Sequence, residues 1–177
     1  YLACGGAPQK WGHTLQIRKV TAKSAELVLV KRLYESAFPA NERWGLEAVL
    51  CDQTGISEML SFFDGEIFCG FVIMLHYDNY SHIIYFAIED ALRSHGYGSE
   101  AIRLIRERMP ERTIMVDIER EAPGADNNEQ RRRRKAFYLR NGYHEAQVYY
   151  DWRGERYEIV ILGGEITSRE YFRFWHN

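Results

Sequence analysis

At 177 residues the chain has the length of one domain, able to bury about two-thirds of its unfolded surface. Charged residues at 27% and apolar ones at 46% describe an ordinary globular composition, and a net charge of -2 gives no electrostatic reason to expect nucleic acid. No apolar run approaches membrane-spanning length, and Cys4, Cys51 and Cys69 are scattered without metal-ligand spacing. Such cysteine usage points to a reducing, cytoplasmic setting and no metal site.

Residues 1–13 lack periodicity and read as an expression remnant or a frayed end, ahead of a single domain spanning 14–177. Thr14 to Val20 alternates and predicts a strand. Ser24 to Phe38 sets Leu27, Val30, Tyr34 and Phe38 on one helical face, and Pro39 ends it. A polar loop holding Trp44 leads to a short helix through Leu46, Val49 and Leu50. Met59 to Phe63 and Ile67 to Leu75 are apolar strands split by Asp64-Gly65, a hairpin signal. Ile83 to Ile88 is solidly apolar, as suits a strand buried on both faces.

Glu89 to His95 is a polar connection, and Gly96-Tyr97-Gly98-Ser99 then opens a helix that stops at Pro110. That helix carries Ala101, Ile102, Ile105 and Met109 on one face. Thr113 to Glu119 is the next strand, so the helix is the crossover of a βαβ unit. Asn127 or Asn128 can cap a further helix that ends at Asn141-Gly142. Tyr143 to Tyr150 and Tyr157 to Leu162 form a second hairpin around Arg153-Gly154. Thr167-Ser168-Arg169-Glu170 is a capping box before a short aromatic helix.

The stretch from Ile83 to Met109 carries the chemistry. A glycine turn opening a helix aims unpaired backbone N–H groups and the positive end of the helix dipole at one point, an anion site that usually takes phosphate. Gly96-x-Gly98-x-x-Ala101 fits the dinucleotide pattern G-x-G-x-x-A, with Asp117 near the position of a ribose-binding acid. A nicotinamide-dependent oxidoreductase is therefore one reading. The polar connection before Gly96 opposes it, and only one βαβ unit is visible.

Arg93-x-x-Gly96-x-Gly98, entered from an apolar strand, resembles the acyl-CoA pyrophosphate loop of the GNAT superfamily of N-acetyltransferases. A second match lies later. Ala136-Phe137-Tyr138-Leu139-Arg140-Asn141-Gly142-Tyr143 resembles the family's A-x-x-F-Y-x-x-x-G-F signature, with Tyr143 in place of Phe. The likeness covers residues 14 to about 162. It implies an α/β (α+β type) fold with a mixed, mostly antiparallel sheet of about seven strands and about four flanking helices. In that fold the fourth and fifth strands splay apart at a bulge, and the pantetheine arm of acetyl-CoA lies in the gap.

On this resemblance, backbone groups of Phe86, Ala87 and Ile88 meet the pantetheine. The amides of Arg93, Ser94, His95, Gly96, Tyr97, Gly98 and Ser99 meet the pyrophosphate, and Arg131 and Arg134 reach the phosphates. Tyr138 takes the family's thiolate-protonating position. Counting back six from Ile88 gives His82 as a general base, with Glu119 as the competitor. Family members commonly carry Asn where Arg131 stands; the nearest Asn here is Asn128. The acceptor site, by family position, takes Tyr34, Phe38, Glu42, Trp44, Tyr149 and Tyr150, whose rings and carboxylate suit a cationic amine. The implied activity is transfer of an acetyl group from acetyl-CoA to a primary amine of a small molecule or peptide. An acyl-CoA-binding regulatory module without turnover is the alternative. Exposed edge strands leave room for a homodimer, and no membrane or nucleic-acid partner is expected.

Overall fold

The computed structural model describes residues 14–176, so the expectation for residues 1–13 lies outside them. Seven strands form one sheet in the order β1-β2-β3-β4-β5-β7-β6. They are β1 (Leu15–Lys19), β2 (Ser57–Asp64), β3 (Ile67–Tyr77), β4 (Tyr80–Ile88), β5 (Thr113–Glu119), β6 (His144–Trp152) and β7 (Glu155–Leu162). Every neighbouring pair is antiparallel except β4 and β5. That pair is parallel because α3 (Tyr97–Arg108) crosses over between them.

Helices cover both faces. On one, α3 and α4 (Asn128–Arg140) bury Ala101, Ile102, Ile105 and Tyr138 against Leu60, Val72, Ile114 and Val116. On the other, α1 (Leu27–Ala37) and α2 (Leu46–Leu50) bury Val30, Leu33, Tyr34 and Leu46 against Met59, Phe71, Ile73 and Tyr85. A third cluster joins Tyr171 and Phe174 of α5 (Ser168–Trp175) to Met115, Ile159 and Ile161. The expected capping box at Thr167 and Glu170 is formed. Five helices are thus present among the described residues, with one 3-10 turn at Asp90–Leu92. None of the helices is long and apolar enough to cross a membrane.

The asparagine cap expected before α4 does not form, because neither side chain is available for it. Asn127 donates to Glu119 (3.0 Å) and accepts from Arg131 (2.8 Å), while Asn128 accepts from the Ala122 amide (2.7 Å). The left-handed stop at Gly142 does form, with φ at +88°.

The far end of α3 is tied to the sheet by charge. Arg108 lies 2.8 Å from Glu58 on β2, and His76 on β3 lies 3.5 Å from the same carboxylate. His76 and Arg108 hold the Glu58 carboxyl down to about 2, against the opposing effect of burial. The folded-state value lies below the ordinary 4.5, so the stabilisation is present above that pH and is lost as pH falls toward 2. Glu58→Gln is expected to lower stability by about 2 kcal/mol at neutral pH in urea unfolding. The gap between variant and parent should close through the acid range; a gap independent of pH would exclude this ionic tie.

Candidate active site

β4 and β5 share four rungs only, from Tyr80–Thr113 to Ile83–Val116. Beyond them β4 stays paired with β3 as far as Ile88, and β5 stays paired with β7 as far as Glu119. Ile84 is the cause on the β4 side: Met74 pairs with Ile83 and Ile73 with Tyr85, which leaves Ile84 as an extra residue. Such a bulge bends its strand and raises the local twist. The Glu89 amide donates to Cys69 on β3 (2.9 Å), so strand alternation turns Phe86 and Ile88 toward the gap. Their backbone groups form a free edge.

The edge runs into the glycine turn. Gly96 sits at φ +87° and Ser94 at φ +63°, left-handed conformations that reverse the chain at the start of α3. No side chain caps that start, so the dipole end of α3 faces a cleft of about 620 Å³. Phe86, Ala87, Ile88, Ser94, Gly96 and Ser99 line this cleft. Arg93, also in the lining, pairs with Asp90 at 2.7 Å. Gly98 lines the cleft too, and a Cβ there would sit 3.2 Å from the Phe137 ring. Packing of α3 against α4 therefore explains this glycine without reference to a ligand. Tyr97 turns into the core and donates to Asp64 (2.8 Å), while the His95 ring folds onto the Arg93 carbonyl (2.7 Å).

Tyr138 lines the same cleft from α4, its ring edge-on to Phe137 and Tyr143. Burial pushes its hydroxyl up to about 12, opposed only in part by the charge of Arg134. Arg133, Arg134 and Arg140 stand around the opening. Arg131 does not join them. It is buried two turns nearer the start of α4, contacting Asn127 (2.8 Å), Glu155 (2.8 Å) and Glu119 (3.3 Å).

A second cleft, of about 770 Å³, opens on the opposite side of the gap and shares Ala37, Phe38, Gln130 and Arg134 with the first. The two clefts therefore meet where the strands part. Phe38, Glu42, Trp44 and Tyr150 of the expected acceptor residues line it. Tyr34 does not, because its hydroxyl accepts from the Trp44 amide (2.7 Å) and donates to the Trp44 carbonyl (3.0 Å). Tyr34 is thus a loop anchor. Tyr149 lies outside as well, stacked near Arg120 and Arg156.

Asp117 is the centre of this second cleft. Tyr150 and Tyr171 donate to its Oδ2 at 2.6 and 2.9 Å, and His82 Nε2 lies 2.8 Å from its Oδ1, a charge contact out of line for a hydrogen bond. Burial alone would raise the Asp117 carboxyl; the charge of His82 and the hydroxyl donors outweigh it and hold the group below the usual range. The same carboxylate pushes both tyrosine hydroxyls well up. His82 is 1% exposed, boxed by the rings of Tyr171, Phe174 and Trp175, and its Nδ1 has no partner. Glu119 lines the cleft with its carboxylate engaged by Asn127 and Arg131.

Sequence reasoning set Asp117 aside with the dinucleotide reading and passed over Tyr85, Trp152, Tyr157, Tyr171 and Trp175. All of them line the second cleft. The one available signal was a lone acidic residue interrupting an apolar strand, Thr113 to Ile118.

The sequence profile of the acetyltransferase (GNAT) family matches residues 27–143. The chain belongs to that family. It is an acyltransferase by membership, and its parallel, parting β4–β5 pair is the family's architecture. A protein of Bacteroides thetaiotaomicron assigned to the GNAT family superposes with a TM-score of 0.74 at 23% identity, over 91% of this chain and 94% of its own. An aminoglycoside 6'-N-acetyltransferase solved with coenzyme A gives 0.65 at 15% identity, over 82% and 95%. A GNAT acetyltransferase of Elizabethkingia anophelis with acetyl-CoA bound gives 0.56 at 11%, over 85% and 98%. At these identities the likenesses show the fold. No curated protein matches the sequence.

Asp117→Asn keeps the shape of the side chain and removes the charge that His82, Tyr150 and Tyr171 share. Urea unfolding is expected to show a loss of about 3 kcal/mol, the scale of breaking a buried pair by one partner. A loss within error of zero would mean that the cluster is not held by that charge.

Proposed function

We propose that the protein is an N-acetyltransferase that moves the acetyl group of acetyl-CoA to a primary amine of a small molecule or peptide, by direct attack with both substrates bound. The observation that carries this reading is the meeting of the two clefts at the parted strands, with Tyr138 on one side and Asp117 on the other. The chain's residues fit acetyl-CoA on three counts: a free strand edge at Phe86 and Ile88, an uncapped helix start at Gly96, and guanidiniums at the opening. When bound, acetyl-CoA supplies a thioester carbonyl open to an amine. The free thiols Cys51 and Cys69 suit a cytoplasmic location.

Each chemical demand then finds a group. The Ile88 N–H, on the free edge, is a fixed donor for negative charge developing on an acyl oxygen. Holding two reactants at one gap supplies much of the remaining acceleration. Tyr138 stays protonated at every physiological pH, since its hydroxyl is raised to about 12. A thiol near 8.5 is a far stronger acid, and full proton transfer from Tyr138 to a thiolate runs roughly 5 kcal/mol uphill. Tyr138 therefore keeps its proton and hydrogen-bonds the departing sulfur. Tyr138→Phe should lower kcat by about 10- to 100-fold while the KM for acetyl-CoA stays within about threefold. Wild-type kcat should show no alkaline loss at about pH 10, where an ordinary tyrosine ionises. Unchanged kcat in the variant refutes the role.

For the proton of the incoming ammonium the reading favours His82, whose Nδ1 is buried without a partner, over Glu119, whose carboxylate is already shared by Arg131 and Asn127. Steady-state profiles of kcat/KM against pH separate them. His82→Gln is expected to abolish the acidic limb and Glu119→Gln to preserve it; the reverse pattern transfers the role to Glu119. Thiol release in the presence of amines distinguishes an enzyme from a module that only binds acyl-CoA.

A further inference from the structure

The acetyltransferase reading leaves the acceptor open, and the second cleft narrows it. Its lining holds three carboxylates, Glu42, Asp117 and Glu119, and two guanidiniums, Arg131 and Arg134. Glu119 and Arg131 cancel each other at 3.3 Å, so the charges left to meet a ligand are few. The lining is otherwise dominated by rings. Trp44 stands edge-on to Tyr85, with centroids 6.2 Å apart at 87°, and edge-on to Trp175, 6.1 Å apart at 81°. Three rings at near right angles present faces and edges to one volume, which suits both a flat apolar body and a cation beside it. Tyr150 and Tyr157 stack at 5.2 Å on the opposite wall.

The loop that carries Trp44 is held at both ends. Arg153, in the turn between β6 and β7, donates to the Asn41 carbonyl of the α1–α2 loop at 2.8 Å. On the other flank, Trp44 of that loop touches Trp175 of α5. The loop is thus tied both to the β6–β7 turn and to α5. A deep end completes the site: Asp117 lies beside the gap, and His82 behind it keeps an unpartnered buried nitrogen.

We infer that the acceptor is a small monocationic arylalkylamine, its ring held among Trp44, Tyr85 and Trp175 and its amino group directed to Asp117 at the parting of β4 and β5. This inference rests on the acetyltransferase reading and deepens it. One ammonium meets one carboxylate at the gap, Asp117, since Glu119 is already taken by Arg131. A polyamine or an aminoglycoside brings several charges that the lining does not answer.

The test uses the full chain with acetyl-CoA and four probe sets: 2-phenylethylamine with tryptamine, spermidine, kanamycin, and a short peptide with a free N-terminal alanine. Release of the coenzyme thiol is the readout, with the acetyl-CoA melting shift recorded alongside. The arylalkylamines are expected to exceed every other class in kcat/KM by about tenfold or more. Trp175→Ala should raise their KM by about tenfold with the KM for acetyl-CoA little changed, and Trp175→Phe should restore most of the loss. If acetyl-CoA stabilises the protein but another class is preferred, or no amine is turned over, the acceptor class is overturned and the cofactor reading stands. If acetyl-CoA neither stabilises the protein nor releases thiol, the acetyltransferase reading fails and takes this inference with it.

Discussion

Past the Ile83–Val116 rung, β4 remains hydrogen-bonded to β3 and β5 remains hydrogen-bonded to β7, while the bulge at Ile84 turns the two ladders away from each other. Neither half can close the gap without breaking its own ladder. The backbone groups of Phe86 and Ile88 are left without strand partners, as is the β5 edge facing them beyond Val116, and among the described residues only the Ile88 carbonyl is met by a side chain, Arg93 Nε at 3.4 Å. A buried unpaired amide costs about 1–3 kcal/mol, so such an edge persists only where water or a ligand reaches it. Among the described residues, the gap is where the two clefts meet. The glycine turn continues it at one end, and Asp117 guards it at the other.

α4 shows how the site is fixed in position. Its buried side carries Arg131 and Tyr138 with Lys135 between them, in place of an apolar stripe. Burial would lower the Lys135 ammonium, but Glu145 and Glu158 outweigh it and hold the group above its ordinary value. Arg131 is held by Glu119, Glu155 and Asn127. Ion pairs of this kind add little net stability over apolar packing, but they tolerate only one placement of the helix. That placement sets Tyr138 in one cleft and Arg134 at the junction of both.

What the chain announced in its sequence was whatever its backbone conformation demands. The unbroken apolar run before Ile88, the glycine that must be left-handed at Gly96 and the stop at Gly142 are local, and each forms as read. Side-chain destinations were less legible. Arg131 and Tyr138 share a helix face, but seven residues amount to about 10 Å along the axis, enough to carry Arg131 out of one cleft and into the wall of the other. Tyr34 has the spacing of a substrate-facing residue, yet both capacities of its hydroxyl are spent on Trp44. Asp117 was invisible as a hub because its donors are 33 and 54 residues away, in a hairpin and a helix whose arrangement around β5 no local pattern encodes. Lys135 is engaged at the same range; its partners lie on β6 and β7.

The division between legible and illegible follows a division in the chain. Residues 27–143, which match the family, contain β4, the glycine turn, α3, β5 and α4, and so hold every group that lines the cofactor-side cleft. The hairpin of β6 and β7 and helix α5 follow that segment, and they supply Tyr150, Trp152, Tyr157, Tyr171, Phe172 and Trp175 to the acceptor-side cleft. Cofactor recognition rests on backbone amides and a helix end, which many sequences can provide, so a family pattern records it. On the proposed reading, acceptor recognition draws on rings from both parts of the chain, Trp44 and Tyr85 from the matched segment and Tyr150 and Trp175 from beyond it, around one carboxylate that β5 contributes. Asp117 is thus the point where the general part of the enzyme meets its particular part: the strand belongs to the first, and three of the groups around the carboxylate, Tyr150, Tyr171 and the Trp175 ring against His82, belong to the second.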